Sequence, residues 1–169
     1  MITPLVQAAI DIALTQVGVR EHGKNRGPSV DLYLRSVGLD PATDSYPWCA
    51  SFVHWCFQQA AAGIGAPNPC PKTAGAIKMF LRAEDHQKAQ VPTVGSIFVI
   101  SHGQGKGHCG LVTRVMAGEI ETIEGNTSLA GSREGDGVYA RRRNAMDVNV
   151  GFVDLSRPDP AALSPQPVA

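Results

Sequence analysis

The sequence shows no excess of charge of either sign. Its 169 residues include 15 Lys and Arg against 15 Asp and Glu, and the pI is near 7.0. Proteins that hold nucleic acid or anionic membranes through bulk charge carry a clear basic excess. We therefore expect neither a nucleic acid nor a membrane as a partner.

Long apolar runs are also missing. No stretch approaches the ~18 apolar residues that a membrane-spanning helix needs. Residues 1–19 have no basic start and are interrupted by Pro4, Gln7, Asp11 and Gln16, so no signal peptide is predicted. A hydrophobic fraction of 43% and this length are typical of one globular domain.

Cysteine is too scarce for a disulfide scaffold. The four cysteines are Cys49, Cys56, Cys70 and Cys109. They form no C-x₂₋₄-C pair, and His54 is predicted to lie on the opposite side of a helix from Cys49, at the protein surface. A zinc site built from these cysteines with His54 and His108 is therefore disfavoured. We expect free thiols, no metal and no cofactor.

Helical periodicity comes first along the chain and strand patterns follow. Apolar spacing predicts helices near 4–17, 30–37, 49–62 and 73–83. Strands are predicted at 95–100, 108–116, 119–125, 137–143 and 149–155, with a flexible loop at 101–107 and a Gly/Ser loop at 126–135. This order predicts the α+β class. Residues 1–155 form the predicted domain, and 156–169 a Pro-rich C-terminal tail.

Cys49 is the candidate nucleophile. Pro47 and Trp48 end an extended segment, and the helical pattern begins at Cys49 itself. A helix N-terminus favours thiolate over thiol through its unpaired N–H groups and its dipole. The other reading of Cys49, and the one favoured for the remaining three cysteines, is a small buried hydrophobic residue.

A nucleophilic cysteine needs a base and an orienting group. A three-residue hairpin loop between Val115 and Glu119 would place His108, Glu124 and Asn126 on one face of a strand pair. A two-residue loop would put His108 and Glu124 on opposite faces. His108 is the favoured base because it begins a strand, and His102, across the glycine-rich loop, is the second choice.

Three short motifs resemble the CHAP domain, the cysteine, histidine-dependent amidohydrolases/peptidases. These are PWCASFV, GHCGLV and IEGNTS, in that order. The resemblance extends from about Val19 to Leu155 and includes GVREHGKNRGPSVDLYLRSVGL and GSREGDGVYARRR. It implies a papain-like α+β fold, with N-terminal helices packed on a C-terminal antiparallel sheet.

The resemblance also implies the roles of the site residues. It places the nucleophile at Cys49, the base at His108 and polar orienting groups at Glu124 and Asn126, of which only one can bind the imidazole directly. Cys109 stands where a small aliphatic residue is more usual. Some members bind calcium in an acidic loop near the nucleophile, but residues 39–47 offer only Asp40 and Asp44.

The implied chemistry is acyl transfer through a thioester. The Cys49 backbone N–H and a side-chain donor, with Tyr46 or Ser45 as candidates, would stabilise the oxyanion. Trp48, Tyr46 and His102 are the predicted substrate-binding residues. Trp48 has the alternative role of a core anchor, which is common for large aromatic side chains.

The resemblance implies a peptidoglycan hydrolase that cleaves an amide bond in the stem peptide or cross-bridge, as an amidase or endopeptidase. The alternatives are a papain-like deamidase or transferase acting on another amide, or a non-catalytic wall-binding module. We expect a monomer that is made in the bacterial cytoplasm and acts in the periplasm or cell wall. The implied setting is a secreted antibacterial effector, with secretion machinery and an immunity protein as partners, or a phage lysin.

Overall fold

Four α-helices precede a six-stranded sheet in the computed structural model, which describes residues 2–128 and 135–160. The helices are α1 (Pro4–Thr15), α2 (Pro28–Ser36), α3 (Cys49–Ile64) and α4 (Ala76–Arg82). The strands are β1 (Lys88–Ala89), β2 (Ile97–Gly103), β3 (Lys106–Val115), β4 (Glu119–Thr127), β5 (Gly137–Asn144) and β6 (Gly151–Val153), and two 3₁₀ turns lie at Asp85–Gln87 and Ala145–Asp147. Within the described residues, no helix is long and apolar enough to cross a bilayer.

The sheet is antiparallel, with strand order β1-β6-β2-β3-β4-β5. Side chains that alternate along its strands form two apolar layers. Val99 and Leu111 belong to the main core beneath the helices, whereas Phe98 and Val112 belong to a smaller cluster with Phe152. The α+β class predicted from the sequence, with helices packed on an antiparallel sheet, is confirmed.

Helix α3 is the central helix and carries the candidate nucleophile at its first position. It contacts α1 and α2 as well as β3 and β4, and it ends at Gly65, whose φ of +67° suits glycine. Its predicted start at Cys49 is confirmed. His54, predicted at the surface, is instead buried, because the chain after α3 folds back so that the Cys70 carbonyl lies 3.2 Å from its Nδ1.

The segment 101–107 was predicted as a flexible loop and that prediction is wrong. Strand β2 continues to Gly103 and β3 begins at Lys106, so the segment is the end of a hairpin. Gln104 and Gly105 form its turn with φ of +53° and +73°. Two successive positive φ values match the twist of paired strands, which explains a tight turn here.

The β3–β4 hairpin differs from the prediction at its turn and agrees with it near the site. Met116 and Glu119 close a two-residue loop, so the predicted three-residue loop is wrong. A bulge at Thr113 then shifts the pairing by one residue, and Leu111 pairs with Ile123. The pairing of Leu111 with Ile123 follows the register predicted for the part of the hairpin that carries His108 and Glu124. The bulge at Thr113 adds the one residue that the prediction had assigned to the loop.

Two sequence predictions fall partly outside the described residues. Residues 129–134 of the predicted Gly/Ser loop and residues 161–169 of the predicted tail lie there. The division into a domain at 1–155 and a tail at 156–169 stays a prediction. The two-residue edge strand β1 was not predicted, because its length is too short for a period-two pattern.

Candidate active site

Cys49 occupies the first position of α3 and borders a cavity of about 440 Å³. The cavity is lined by Tyr46, Pro47, Cys49, Ala74, Gly75, Ala76, Gly105, Lys106, Gly107, His108 and Asn126. The first four backbone N–H groups of a helix have no partner within the helix, and that of Cys49 is one of them. The thiol therefore lies at the end of α3 that favours negative charge.

The thiol of Cys49 is held in its ionised form by two neighbours. A hydrogen bond from Cys109, and then a hydrogen bond from His108 with its positive charge, set the pKa of Cys49 well below its usual range despite burial. The same contact has the opposite effect on the pKa of Cys109. The hydrogen bond of Cys109 to Cys49, together with burial, raises the pKa of Cys109 well above its ordinary value. Cys49 is therefore the thiolate of the pair and Cys109 the thiol.

His108 connects the thiolate to a buried carboxylate. Its Nε2 lies 2.8 Å from Oε2 of Glu124, which leaves Nδ1 as the ring nitrogen available to Cys49. Burial alone would lower the pKa of His108. The hydrogen bonds to Cys49 and Glu124 and their negative charges outweigh burial and raise the pKa of His108 to about 9. The side chain is thus an imidazolium at neutral pH.

Glu124 is fully buried and accepts hydrogen bonds from three side chains. Besides His108, Thr122 donates to Oε1 at 2.6 Å, and Arg143 donates through Nε and Nη2 at 2.5 and 2.6 Å. Burial would raise the pKa of Glu124, but the bonds from Arg143 and His108 and their charges lower it to about 2. The carboxylate is ionised and oriented towards the imidazole.

The backbone opposite Glu124 is glycine for a steric reason. A Cβ at Gly110 would lie 2.7 Å from Glu124 Cγ and 2.8 Å from the ring of Phe98. Any larger residue in the GHCGLV motif at this position would displace the carboxylate from His108. Gly110, the second glycine of that motif, therefore leaves the space in which the Glu124 side chain reaches His108.

Of the two predicted orienting groups, Glu124 is the one bonded to His108. Asn126 lies at the cavity wall, is 4% exposed, and has a φ of +56°. Its Oδ1 finds no hydrogen-bond partner among the described residues. The alternative left open by the sequence is thus decided geometrically: Glu124 bonds the imidazole, and Asn126 lies in the wall of the same cavity.

The predicted substrate-binding residues separate into one at the cavity and two elsewhere. Tyr46 lines the cavity, and its hydroxyl lies 3.0 Å from that of Thr43. Trp48 is fully buried, donates from its indole nitrogen to Glu21 at 2.7 Å and is not among the cavity residues. Trp48 therefore has the alternative role predicted for it, that of a core anchor, because Tyr33 packs on its ring with centroids 5.6 Å apart.

The remaining candidates lie outside the cavity wall. His102 is exposed near the end of β2 and is not among the lining residues. Ser45, one of the two oxyanion candidates, is exposed and lies 3.0 Å from Asn25 Nδ2 instead of bordering the cavity. His102 lies at an irregularity of β2 between Ser101 and Gly103, and Ser45 lies in the segment before α3, and the sequence pattern predicts the orientation of neither side chain.

Sequence reasoning missed Arg143. It lies on β5 opposite Ile120, on the same sheet face as Glu124, and its guanidinium sits 5.2 Å above the ring of Phe98. Its signal was the run of three consecutive arginines that ends GVYARRR. That run identifies Arg143 only once the β4–β5 register is known.

No metal-ligand set is formed by the part of the chain that the structure describes. Residues 2–128 and 135–160 contain no group of three or more His, Cys, Asp or Glu side chains that could hold an ion. In the acidic loop, Asp40 accepts from the Ala42 N–H at 3.0 Å and Asp44 from the Ser45 N–H at 2.7 Å. Both carboxylates therefore stabilise local turns.

Comparisons with known proteins identify the family of the chain. A family model of the CHAP domain matches residues 41–126, just over half of the chain, and this range includes Cys49, His108, Glu124 and Asn126. No curated protein matches the chain. Two solved structures are similar: the crystal structure of Ly7917, at 15% identity and a TM-score of 0.48, and that of Ly7917 with the hydrolyzing product of MDP, at 15% and 0.47. Each match covers 88% of this chain, which spans 59% and 60% of the respective Ly7917 chains.

The family match covers the part of the chain that contains α3, with Cys49, and the strand pair with His108 and Glu124. The chain belongs to the CHAP domain family, whose members are amidase-type hydrolases.

Proposed function

We propose that this chain hydrolyses an amide bond in the stem peptide or cross-bridge of bacterial peptidoglycan. One observation carries the proposal: Cys49 and His108 border the same cavity, and the imidazole of His108 is bonded to the buried Glu124 carboxylate at 2.8 Å. A nucleophile, a base and an orienting carboxylate in that order are the requirements for acyl transfer through a cysteine.

The first half of the reaction forms a thioester. The Cys49 thiolate attacks the substrate carbonyl carbon, and the backbone N–H of Cys49 stabilises the oxygen that becomes negative. His108, protonated at neutral pH, gives its Nδ1 proton to the leaving nitrogen as the C–N bond breaks. The amine product leaves, and His108 becomes neutral.

The second half returns the site to its starting state. Neutral His108 accepts a proton from water, whose oxygen attacks the thioester carbonyl, and the Cys49 thiolate leaves as the S–C bond breaks. Glu124 holds Nε2 of the imidazole throughout and stabilises its positive charge. Arg143 holds both oxygens of Glu124, so it positions the site without touching substrate.

The shape of the cavity suits an extended peptide. Five of its lining residues are small: Ala74, Gly75, Ala76, Gly105 and Gly107. Short side chains let a peptide backbone approach the wall closely, so the substrate carbonyl can reach the thiolate. Tyr46, at the same wall, is the substrate-binding side chain that we retain from the sequence prediction.

Digestion of purified peptidoglycan with mass analysis of the fragments tests the proposal. Stem peptides released from intact glycan would identify an amidase, and separated cross-links an endopeptidase. The Cys49→Ala protein is the control and should release neither. If the folded wild-type protein releases no fragment, the substrate assignment is wrong, and deamidation or transfer on another amide becomes the reaction to assay.

The proposed setting is a secreted antibacterial effector or a phage lysin. Peptidoglycan lies outside the cytoplasmic membrane, so the protein must reach that side to act. Directing it to the periplasm of a bacterial host should cause lysis, whereas cytoplasmic expression and periplasmic Cys49→Ala should not. Equal lysis by wild type and Cys49→Ala in the periplasm would contradict a catalytic cause. An immunity protein, if the setting is an effector, should bind at the cavity.

A further inference from the structure

The wall of the cavity beside Cys49 carries one positive charge that no other lining residue offsets. Among its eleven lining residues the Cys49 thiolate and the His108 imidazolium balance each other, Lys106 is the one lysine or arginine, and none is Asp or Glu. The chain as a whole is neutral, with 15 basic and 15 acidic residues. The net positive charge of the cavity wall therefore comes from Lys106.

Lys106 is held at the cavity by the β2–β3 hairpin. It is the first residue of β3, pairs with Gly103 across the turn, and stands two residues before His108. Strand residues two apart project from the same face, roughly 7 Å apart. The hairpin thus places the lysine on the same side of β3 as the histidine, at a distance that one amino acid residue of substrate spans.

No described residue neutralises Lys106. Its ammonium forms no salt bridge or hydrogen bond with residues 2–128 or 135–160, and the side chain is exposed at the cavity mouth. By contrast, Lys88 pairs with Asp85 at 2.8 Å, and Arg143 with Glu124. Lys106 is therefore available to an anion that enters the cavity.

A second polar group inside the cavity also lacks a partner. Asn126 is 4% exposed, and its buried Oδ1 has no hydrogen bond among the described residues. Leaving a buried polar atom unbonded costs roughly 1–3 kcal/mol in a folded protein. Asn126 lines the same cavity as His108, and a ligand N–H that reached its Oδ1 would supply the missing hydrogen bond.

We propose that Lys106 forms an anion-binding subsite that selects peptides carrying a free carboxylate within about one residue of the scissile amide. Asn126 accepts a backbone N–H of the same peptide, which fixes the peptide between the two groups. This inference rests on the proposed amide hydrolysis and specifies the substrate class of that site. It makes Lys106 a residue that determines specificity, while the chemistry stays with Cys49 and His108.

Alkylation of Cys49 tests the subsite without any substrate. Iodoacetate and iodoacetamide have nearly the same size and the same reaction, in which the thiolate displaces iodide, but only iodoacetate carries a carboxylate. We expect Lys106→Met to lower the iodoacetate rate roughly three- to fivefold, the upper part of the range for an exposed charge pair, and to leave the iodoacetamide rate unchanged. The rates are measured by intact mass against Cys49→Ala, which reports labelling of the three buried cysteines.

Lys72→Met is the matched control. It removes the same charge from the same residue type, and Lys72 is exposed and outside the cavity. It should leave the ratio of iodoacetate to iodoacetamide rates at the wild-type value. An unchanged ratio in Lys106→Met, or an equal fall in both variants, overturns the subsite.

A pair of peptides then tests the substrate class. One carries a free carboxylate next to the scissile amide, and the other carries a carboxamide there. We expect the wild type to favour the carboxylate about three- to fivefold in kcat/KM, and Lys106→Met to cleave both equally by losing rate on the carboxylate alone. Equal rates in the wild type contradict the inference. If neither peptide is cleaved, the peptidoglycan assignment fails, and the alkylation ratios still decide whether the subsite exists.

Discussion

Replacing Arg143 by methionine isolates the charge that supports the His108–Glu124 pair. Arg143 binds both oxygens of Glu124, its own side chain is 18% exposed, and Glu124 is fully buried. Methionine keeps much of the aliphatic volume over the ring of Phe98 but supplies no donor. The change therefore removes the guanidinium with little loss of packing.

The expected cost is about 3 kcal/mol of unfolding free energy. Removing one member of a buried ion pair costs about 3–5 kcal/mol because the other charge stays buried. Glu124 keeps its bonds to His108 and Thr122, which places the value at the low end. For a chain of this size, 3 kcal/mol corresponds to a fall in Tm of roughly 6–12 °C.

Arg142→Met is the matched control on the same strand. Arg142 is 58% exposed and pairs with Glu119 and Glu121 at 3.7 and 3.2 Å. Exposed pairs contribute roughly 0–1 kcal/mol, so this variant should unfold near the wild-type denaturant midpoint. Urea unfolding at neutral pH compares the three proteins. If the two variants lose the same free energy within about 0.5 kcal/mol, Arg143 does not stabilise the site as argued.

The pH dependence gives a second check on the Arg143 prediction. The pKa of Glu124 is lowered from 4.5 to about 2, so its contribution to stability is present above pH 4.5 and is lost as pH falls towards 2. In Arg143→Met the pKa of Glu124 rises towards its ordinary value. Protonation of Glu124 between pH 4.5 and 2 then costs the wild type more folding stability than it costs the variant. The free-energy difference between the two proteins should shrink below pH 4.5, and a difference that grows there would contradict the assignment.

Three further predictions concern the reacting groups. Because His108 must be protonated to donate to the leaving nitrogen, kcat/KM should fall on the alkaline side with a pKa of about 9, and a flat profile to pH 10 would contradict that role. Cys109→Val should raise the pKa of Cys49 and Cys109→Ser should partly restore it, as measured by the pH dependence of iodoacetamide alkylation; identical profiles would show that the Cys109 thiol donates nothing. His108→Ala should lower peptidoglycan turnover about 100-fold or more, and His102→Ala less than about threefold, whereas the reverse order would identify His102 as the base.

The start of α3 and the position of Cys49 could be predicted from local chemistry alone. An extended Pro47–Trp48 segment followed by a helical apolar pattern defines where that helix begins, and no distant contact is needed. The same holds for α1, where Thr3 accepts from the Val6 N–H at 3.3 Å and Pro4 occupies the first turn. Helix starts depend on neighbouring residues, so the sequence pattern is sufficient there.

Strand partners could be predicted only in part, because register depends on bulges that leave no clear pattern. The predicted offset near the site was right and its predicted cause was wrong, since a two-residue loop and the bulge at Thr113 replace a three-residue loop. Arg143 was missed for the same reason: its place beside Glu124 requires the β4–β5 register as well. His54 was misplaced because a later segment, with Cys70, covers its side of α3.

The arrangement of charges explains how a reactive thiolate can lie in a nearly dry site. Cys49, His108, Glu124 and Arg143 form a series of alternating sign, so the buried group as a whole is neutral. Each ion is offset by its neighbours, which reduces the desolvation cost that an isolated buried charge would carry. The thiolate belongs to the helical layer and the other three ions to the sheet, so the series forms only when the two layers pack together. Packing of the two layers and formation of the charge series are therefore coupled in this domain, and Arg143, which is not among the cavity residues, contributes to both through Glu124.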